Sequence, residues 1–289
     1  MSYQYGGQAV IEGVMMRGPD TRAVAVRLPD QSIVVDEKPV GSITGGMPFL
    51  KWPLLRGVVV LIESLAMGIE SLTFSANQAT GEEEDFTTKE LVLTIGLALG
   101  LAVLLFAVLP TAGAHLLIRF VPGSFAQNLI EGAFRIFVFV AYIVVIARLA
   151  DIKRVFEYHG AEHKVINAYE AGEELTVSNV QRYSALHPRC GTSFLLIVML
   201  VSILLFSLLG QQVLWWRILS RVLLLPLVAG ISYELVKLSA KHYSKLLCRI
   251  MIAPGLWLQK LTTRPPDDGQ VEVAIRALRP VLKEGEKLA

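Results

Sequence analysis

Cysteine is scarce in this chain, which has only Cys190 and Cys248 among its 289 residues. Two cysteines cannot build a disulfide framework, and these two do not form a C-x-x-C metal motif. An excess of charge of one sign is also lacking, because the formal net charge is only +2, which gives no case for nucleic-acid binding. The sequence contains no G-x-G-x-x-G or G-K-[ST] phosphate motif and no G-x-S-x-G elbow. These absences argue against a secreted disulfide scaffold, a nucleotide site and a serine hydrolase.

Apolar residues make up 53% of the chain and charged residues 18%, and the mean hydropathy is +0.53. This composition is typical of an integral membrane protein. We therefore predict a mainly α, multi-pass helical membrane protein with about four transmembrane helices. A small N-terminal cytoplasmic part would contain a β-hairpin, and interfacial helices would complete the fold.

Four apolar stretches are candidate membrane spans. Leu91–Leu109 and Gly191–Trp216 are uncharged and long enough to cross a bilayer of about 30 Å. The stretches around residues 130–149 and 215–238 have shorter uncharged runs, with charged residues at their starts. We count all four as spans because of where the basic residues fall.

Lysine and arginine give the expected orientation. With four spans, one side of the membrane holds residues 1–88, 148–192 and 237–289, which contain six, six and ten Lys and Arg. Cytoplasmic segments carry such an excess, so both termini are expected in the cytoplasm. Glu131 and Arg135 begin the second span four residues apart and are expected to pair.

The chain then divides into five regions: an N-terminal cytoplasmic region (1–88), transmembrane helices 1 and 2 (89–149), a cytoplasmic loop with His and Cys motifs (150–192), transmembrane helices 3 and 4 (193–240) and a basic cytoplasmic tail (241–289). In the first region, Ala23–Leu28 and Ser32–Asp36 predict a β-hairpin. Residues 54–78 predict an amphipathic helix that lies on the membrane or packs on the bundle.

The most informative motif is His159-Gly-Ala-Glu162-His163. On a helix, His159 and His163 are four residues apart and lie on one face, where two imidazoles can bind one divalent ion. Glu162 lies beside both and can act as a general base towards water. The order of residues in this motif, H-x-x-E-H, is that of a reversed zincin motif. Gly160 inside a helix costs about 1 kcal/mol relative to Ala, which indicates close approach of another backbone or a helix start.

A second cluster, His187-Pro-Arg-Cys190, supplies two more candidate ligands. Four ligands, His159, His163, His187 and Cys190, would make a closed structural site, whereas two or three would leave the open position that catalysis requires. The expected cofactor is a divalent metal ion, with zinc favoured by the imidazole and thiolate donors.

Candidate substrate-binding residues lie in two other places. In the Gly-rich block Gly6–Pro19, Gln8, Glu12 and Arg17 could orient a polar or anionic headgroup, or the block could be a tight strand and turn packed on the helices. Glu234, near the end of the last span, is an acidic residue that needs a partner; it is a further ligand or pairs with Lys237.

These features support a cytoplasm-facing metal site with hydrolase-type chemistry, in which Glu162 is catalytic. One alternative is a non-catalytic scaffold or binding protein with structural zinc. Another is a transporter or lipid-handling protein, in which Glu234 would be important. The expected partners are the lipid bilayer and a peptide or amphiphile substrate, with no nucleic acid, and a homo-oligomer is left open.

Three segments, Gly6–Pro19, Tyr158–Lys164 and Leu186–Phe194, together resemble the bacterial YqhQ-like membrane protein family. Members of that family contain a domain of unknown function and are labelled predicted metal-dependent enzymes. The resemblance implies a multi-pass protein of the bacterial cell membrane but supplies no reaction. The matching candidate positions are Glu12, Arg17, His159, Glu162, His163, His187 and Cys190.

Overall fold

The computed structural model describes residues 5–41, 48–80, 87–117, 120–121, 123–209, 213–241 and 245–283. The strands are β1 (Gly6–Val10), β2 (Gly13–Arg17), β3 (Thr21–Arg27) and β4 (Ile33–Pro39). The helices are α1 (Leu55–Thr80), α2 (Thr88–Val103), α3 (Leu109–Leu116), α4 (Ser124–Ile146), α5 (Ala150–Glu170), α6 (Val177–Val180), α7 (Gly191–Ser207), α8 (Leu214–Lys241), α9 (Leu246–Thr262) and α10 (Asp268–Leu278). A π-helical segment, Leu104–Val108, joins α2 to α3, and short 3-10 turns are Pro48–Lys51 and Arg279–Val281.

The strands form one antiparallel meander in the order β1-β2-β3-β4. The predicted hairpin is confirmed as β3 and β4, which pair with Val26 opposite Val34. A second hairpin, β1 and β2, was not predicted as such and is built from the Gly-rich block. Its turn includes Glu12 in the left-handed region, with φ of 51°. The block is therefore strand and turn, which is the packing alternative raised by the sequence.

Helices cover both faces of the sheet, because successive strand side chains point to opposite faces. On one face, Val14 and Met16 belong to a core shared with α5 and α10. On the other, Met15 and Val24 belong to a smaller core that includes Phe74 of α1. The sheet thus holds α5 and α1 in fixed positions on opposite sides.

Within the part of the chain that the structure describes, four helices are long and apolar enough to cross a membrane: Leu55–Ala79, Val92–Leu116, Phe125–Ile146 and Trp215–Ser239. The expected number of such helices is confirmed, but the set differs. The predicted span Gly191–Trp216 is wrong in its extent, because α7 ends at Ser207 and both tryptophans belong to α8. At 17 residues, α7 is about 26 Å long, at the lower limit for a span.

Helix α1 meets the length and composition of a span, yet its polar side chains have partners on the sheet. Arg22 pairs with Glu70, and the Ser75 hydroxyl accepts the Ile11 amide N–H at 3.2 Å. An adjacent face of α1 exposes apolar side chains that include Ile62 and Leu65. The sequence predicts that residues 54–78 lie on the membrane or pack on the bundle. Helix α1 packs on α8, where an added Cβ on Gly57 would be 2.8 Å from Tyr233 Cβ, and its exposed apolar face suits a membrane surface.

A buried charge cluster joins the helices of the bundle. Glu131 of α4 is 2% exposed. Its carboxylate oxygens lie 3.0 Å from Arg135, 2.7 Å from Arg217 and 2.8 Å from Arg221, and they accept the Thr111 hydroxyl at 3.0 Å. One carboxylate therefore connects α3, α4 and α8. The predicted pairing of Glu131 with Arg135 is confirmed.

We expect Glu131→Gln to destabilise the bundle, because it leaves three guanidinium groups without their shared counter-charge. Breaking a buried pair costs about 3 to 5 kcal/mol, which corresponds to a fall of about 10 °C in Tm. Thermal unfolding of the detergent-purified protein measures this. The matched control is Glu37→Gln on the exposed side of β4, which should leave the Tm within about 2 °C. Equal melting of the two variants would contradict the role of Glu131.

Candidate metal centre

Helix α5 presents His159 and His163 on one face, as their spacing predicts. Their ring centroids are 4.4 Å apart. Between them, Gly160 lies against the extended chain after α9, where an added Cβ would be 2.0 Å from the Arg264 carbonyl oxygen. The predicted close approach of a backbone at Gly160 is confirmed. This contact brings the end of α9 against His159.

Backbone carbonyls fix both rings. His159 Nδ1 lies 2.8 Å from the Thr262 carbonyl oxygen, and His163 Nδ1 lies 2.6 Å from that of Ala185. A carbonyl only accepts hydrogen bonds, so the network assigns the proton to Nδ1 in both residues. The lone pair of each Nε2 is then left for a ligand, which is how metal-binding imidazoles are oriented in proteins.

Cys190 brings a third donor from the start of α7. It is the residue that caps this helix, and its Sγ accepts from the Thr192 amide at 3.4 Å. Its side chain is buried, and Sγ lies 3.2 Å from His159 Nε2. The sulfur therefore sits at the positive end of α7 and points at α5.

Glu162 lies beside these donors, buried under β1. Its Oε2 is 3.4 Å from His163 Nε2, and an added Cβ on Gly7 would be 3.1 Å from its Cγ. Two imidazole lone pairs, a sulfur and a carboxylate thus converge. The two imidazoles and the sulfur can each offer a lone pair to a cation, and the carboxylate lies beside them.

The donor geometry fits a zinc-sized ion. The ligand atoms of His159, His163 and Cys190 all lie within 4.8 Å of one another. Bonds of about 2.0 Å to nitrogen and 2.3 Å to sulfur place two nitrogens and one sulfur about 3.3 to 3.5 Å apart in a tetrahedral site. Small side-chain movements would therefore close this set around an ion.

His187 lies nearby but has other partners. Its ring centroid is 5.8 Å from that of His163, its Nδ1 accepts the Arg189 amide N–H at 3.3 Å, and its Nε2 is 3.5 Å from Glu170. Burial lowers the pKa of His187, and the nearby Glu162 charge opposes this shift in part. Of the four predicted ligands, the structure brings three together and places His187 beside them.

The four residues predicted to bind substrate are spread more widely. Gln8 lines a cavity that Glu162, His163 and Cys190 also line, but its side chain points to α1, where its Nε2 donates to the Gly68 carbonyl oxygen at 3.4 Å. Arg17 lies in a neighbouring cavity, 3.8 Å from Glu63. Glu12 pairs with Arg154, and Glu234 pairs with Arg56 rather than with Lys237. Neither Glu12 nor Glu234 is among the described residues that line the cavity beside the imidazoles.

Two supporting residues were not predicted. Glu170 pairs with Arg189 as well as facing His187. Gln259 of α9 accepts the His187 amide N–H and donates to its carbonyl, both at 2.9 Å. Glu170 could have been found, because it is seven residues after His163 and lies on the same stripe of α5. No comparable feature of the sequence indicates that Gln259 contacts His187.

A cavity of about 340 Å³ adjoins the candidate ligands. Its wall includes Glu162, His163 and Cys190, and on the opposite side Gly6–Ala9 of β1. An ion held by three protein ligands would therefore face space that a water molecule and part of a substrate can enter.

Comparison with known proteins identifies the family of the chain. Residues 52–284 match the family described as "Protein of unknown function (DUF1385)". A relative from Bacillus subtilis (strain 168), "Uncharacterized protein YqhQ", is 39% identical over 293 residues, which cover 96% of this chain and 92% of the relative. No solved structure matches the chain.

We expect Gly160→Ala to displace α5 from the segment after α9, because the new methyl group would overlap the Arg264 carbonyl. Overpacking of this kind costs about 1 to 3 kcal/mol, or about 5 °C in Tm. The matched control is Gly100→Ala in α2, where nothing lies within 4 Å of the added Cβ, and where alanine should be neutral or stabilising. Thermal unfolding measures the Tm of both variants. An unchanged Tm of Gly160→Ala would contradict a tight contact between Gly160 and the Arg264 carbonyl.

Proposed function

Because the chain belongs to the DUF1385 family of proteins of unknown function, its activity has to be inferred from the site, and we propose that it is a divalent-metal-dependent hydrolase of the bacterial cell membrane. One observation carries the proposal. One ligand atom from each of His159, His163 and Cys190 converges beside a buried glutamate and an open cavity.

His159, His163 and Cys190 would hold the ion, and zinc suits two imidazoles and one thiolate. A divalent ion bound there would act as a Lewis acid and would make water more acidic. The Thr262 and Ala185 carbonyls keep both imidazoles in the tautomer that this requires.

Glu162 has the position of the general base. In hydrolysis its carboxylate takes a proton from a water molecule in the cavity, and the water oxygen forms a bond to the electrophilic carbon or phosphorus of the substrate. The bond to the leaving group breaks, and Glu162 returns the proton to that group. Gly7 allows β1 to pass close over Glu162, which limits access of bulk water from that side.

The ligand count favours catalysis over a structural zinc. A structural site is closed by four protein ligands. Among the described residues, the group contains three, and His187 is engaged by Glu170 and the Arg189 amide. The transporter alternative gains less support, because Glu234 is paired with Arg56 outside this cavity. The positive-inside pattern supports a site that faces the cytoplasm.

The first test is metal content, measured by elemental mass spectrometry on the detergent-purified protein. We expect about one zinc ion per chain, lost in His159→Ala, His163→Ala and Cys190→Ser because each removes a ligand. Glu162→Gln should keep the ion, since a base is not a ligand. His187→Ala should also keep it.

Matched controls are available for both donor types. His115→Ala changes an exposed histidine of α3, and Cys248→Ser changes the other cysteine, in α9. Both variants should bind as much metal as the wild type. Full retention by Cys190→Ser would contradict the three-ligand site. A wild-type protein that takes up no zinc, manganese or iron after reconstitution would overturn the proposed function.

A further inference from the structure

Three cavities meet at the start of α7. The first is the 340 Å³ cavity beside the imidazoles; the second, of about 490 Å³, lies against β1 and β2; the third, of about 550 Å³, lies between α1, α7 and α8. Arg189 and Gly191 line all three. The candidate metal centre is therefore not an isolated pocket, because its wall continues into a larger space between helices.

The third cavity, which we call the α1–α8 cavity, is mainly apolar. Val60 and Leu61 of α1, Phe194 of α7 and Val236 of α8 line it. Such walls suit a hydrocarbon chain, since burial of apolar surface stabilises by about 25 cal/mol per Å². A hydrated peptide or a small polar metabolite would gain little there.

Among the described residues, every charged side chain in the walls of the second and third cavities is a cation: Arg17, Arg189 and Lys237. Arg17 and Arg189 have acidic neighbours in Glu63 and Glu170. Lys237 lies 5.9 Å from the centre of the Tyr233 ring, and its charge also acts on Glu234, which forms its ion pair with Arg56. The charge of these walls therefore favours an anionic group, and arginine with lysine is typical of phosphate recognition.

The α1–α8 cavity also lies next to surface that suits a bilayer. Ile62, Leu65 and Leu72 on the neighbouring face of α1 are exposed, as is Trp52 just before the helix. Exposed apolar residues at helical spacing, ending in a tryptophan, are typical of an interfacial helix. A lipid could thus move from the membrane surface along α1 into the cavity without its chain crossing water.

We propose that the substrate is an amphiphile with a phosphate-bearing headgroup, whose hydrocarbon chain occupies the α1–α8 cavity. Lys237 and Arg189 bind the headgroup, and the bond to be hydrolysed reaches the first cavity beside Glu162. This assignment rests on the proposed hydrolase function. The cationic walls recognise phosphate, which a lipid headgroup and free phosphate have in common. The hydrocarbon chain distinguishes the lipid from free phosphate.

The test is photolabelling of the full-length protein, as purified in detergent, with an oleoyl lysophosphatidate that carries a diazirine in its chain. We expect labels on α1, α7 and α8 at residues of the cavity wall. Unlabelled lysophosphatidate should compete, whereas inorganic phosphate and uncharged monoolein should compete at least ten-fold less well, because each offers only one of the two features.

Two pairs of variants test chain and headgroup separately. Leu61→Trp fills the cavity and should reduce labelling at least ten-fold, whereas Ile62→Trp changes the exposed face beside it and should not. Lys237→Gln should weaken binding about ten-fold through loss of a charged contact. Lys245→Gln, an exposed lysine at the start of α9, should leave binding unchanged.

The outcomes of these experiments test the amphiphile proposal separately from the hydrolase proposal. Labels confined to the exposed face of α1, equal labelling of both Trp variants, or competition by phosphate alone would overturn the amphiphile. If the same sample holds zinc at His159 and His163, the hydrolase proposal survives that result. Labelling of the cavity in a protein that binds no metal would overturn hydrolysis, and the amphiphile would then be a ligand and not a substrate.

Discussion

Two hydrogen bonds from imidazoles to backbone carbonyls decide what this site can do. Without the Thr262 and Ala185 carbonyls, the proton of each ring could sit on either nitrogen, and neither Nε2 would be committed to a ligand. Both carbonyls come from segments remote in sequence from α5. The chemistry of two histidines therefore depends on how the chain after α9 and the loop before α7 are held.

The chain after α9 and the loop before α7 are held by contacts with backbone amide and carbonyl groups. Gln259 makes paired hydrogen bonds with the amide and carbonyl of His187, so α9 and the loop before α7 are fixed to each other. The Gly160 contact with the Arg264 carbonyl then fixes α9 against α5. The sheet holds α5 from its other side. The site thus forms where the sheet-bound helices meet the apolar bundle, and neither part could orient the donors alone.

The sequence allowed prediction of the parts that depend on local spacing. His159 and His163 share a face because they are four residues apart, and Gly160 indicates a close contact because glycine inside a helix costs stability relative to alanine. Cys190 and His159 are 31 residues apart and separated by a loop. A contact of this kind produces no periodic pattern in the sequence from which it could be predicted. The proposal of Cys190 over His187 as third donor also needed the structure, because His187 lies 3.5 Å from Glu170 and accepts the Arg189 amide N–H.

Helix α1 shows why composition alone does not place a segment. Its hydropathy and length match those of a membrane span, yet Glu63 and Glu70 pair with arginines of the sheet, and Ser75 accepts a hydrogen bond from the turn between β1 and β2. A helix with polar groups on protein along one face and exposed apolar groups along the next suits a membrane surface. If α1 lies there, the apolar wall that it shares with α7 and α8 would give the proposed lipid chain a path to the candidate metal centre.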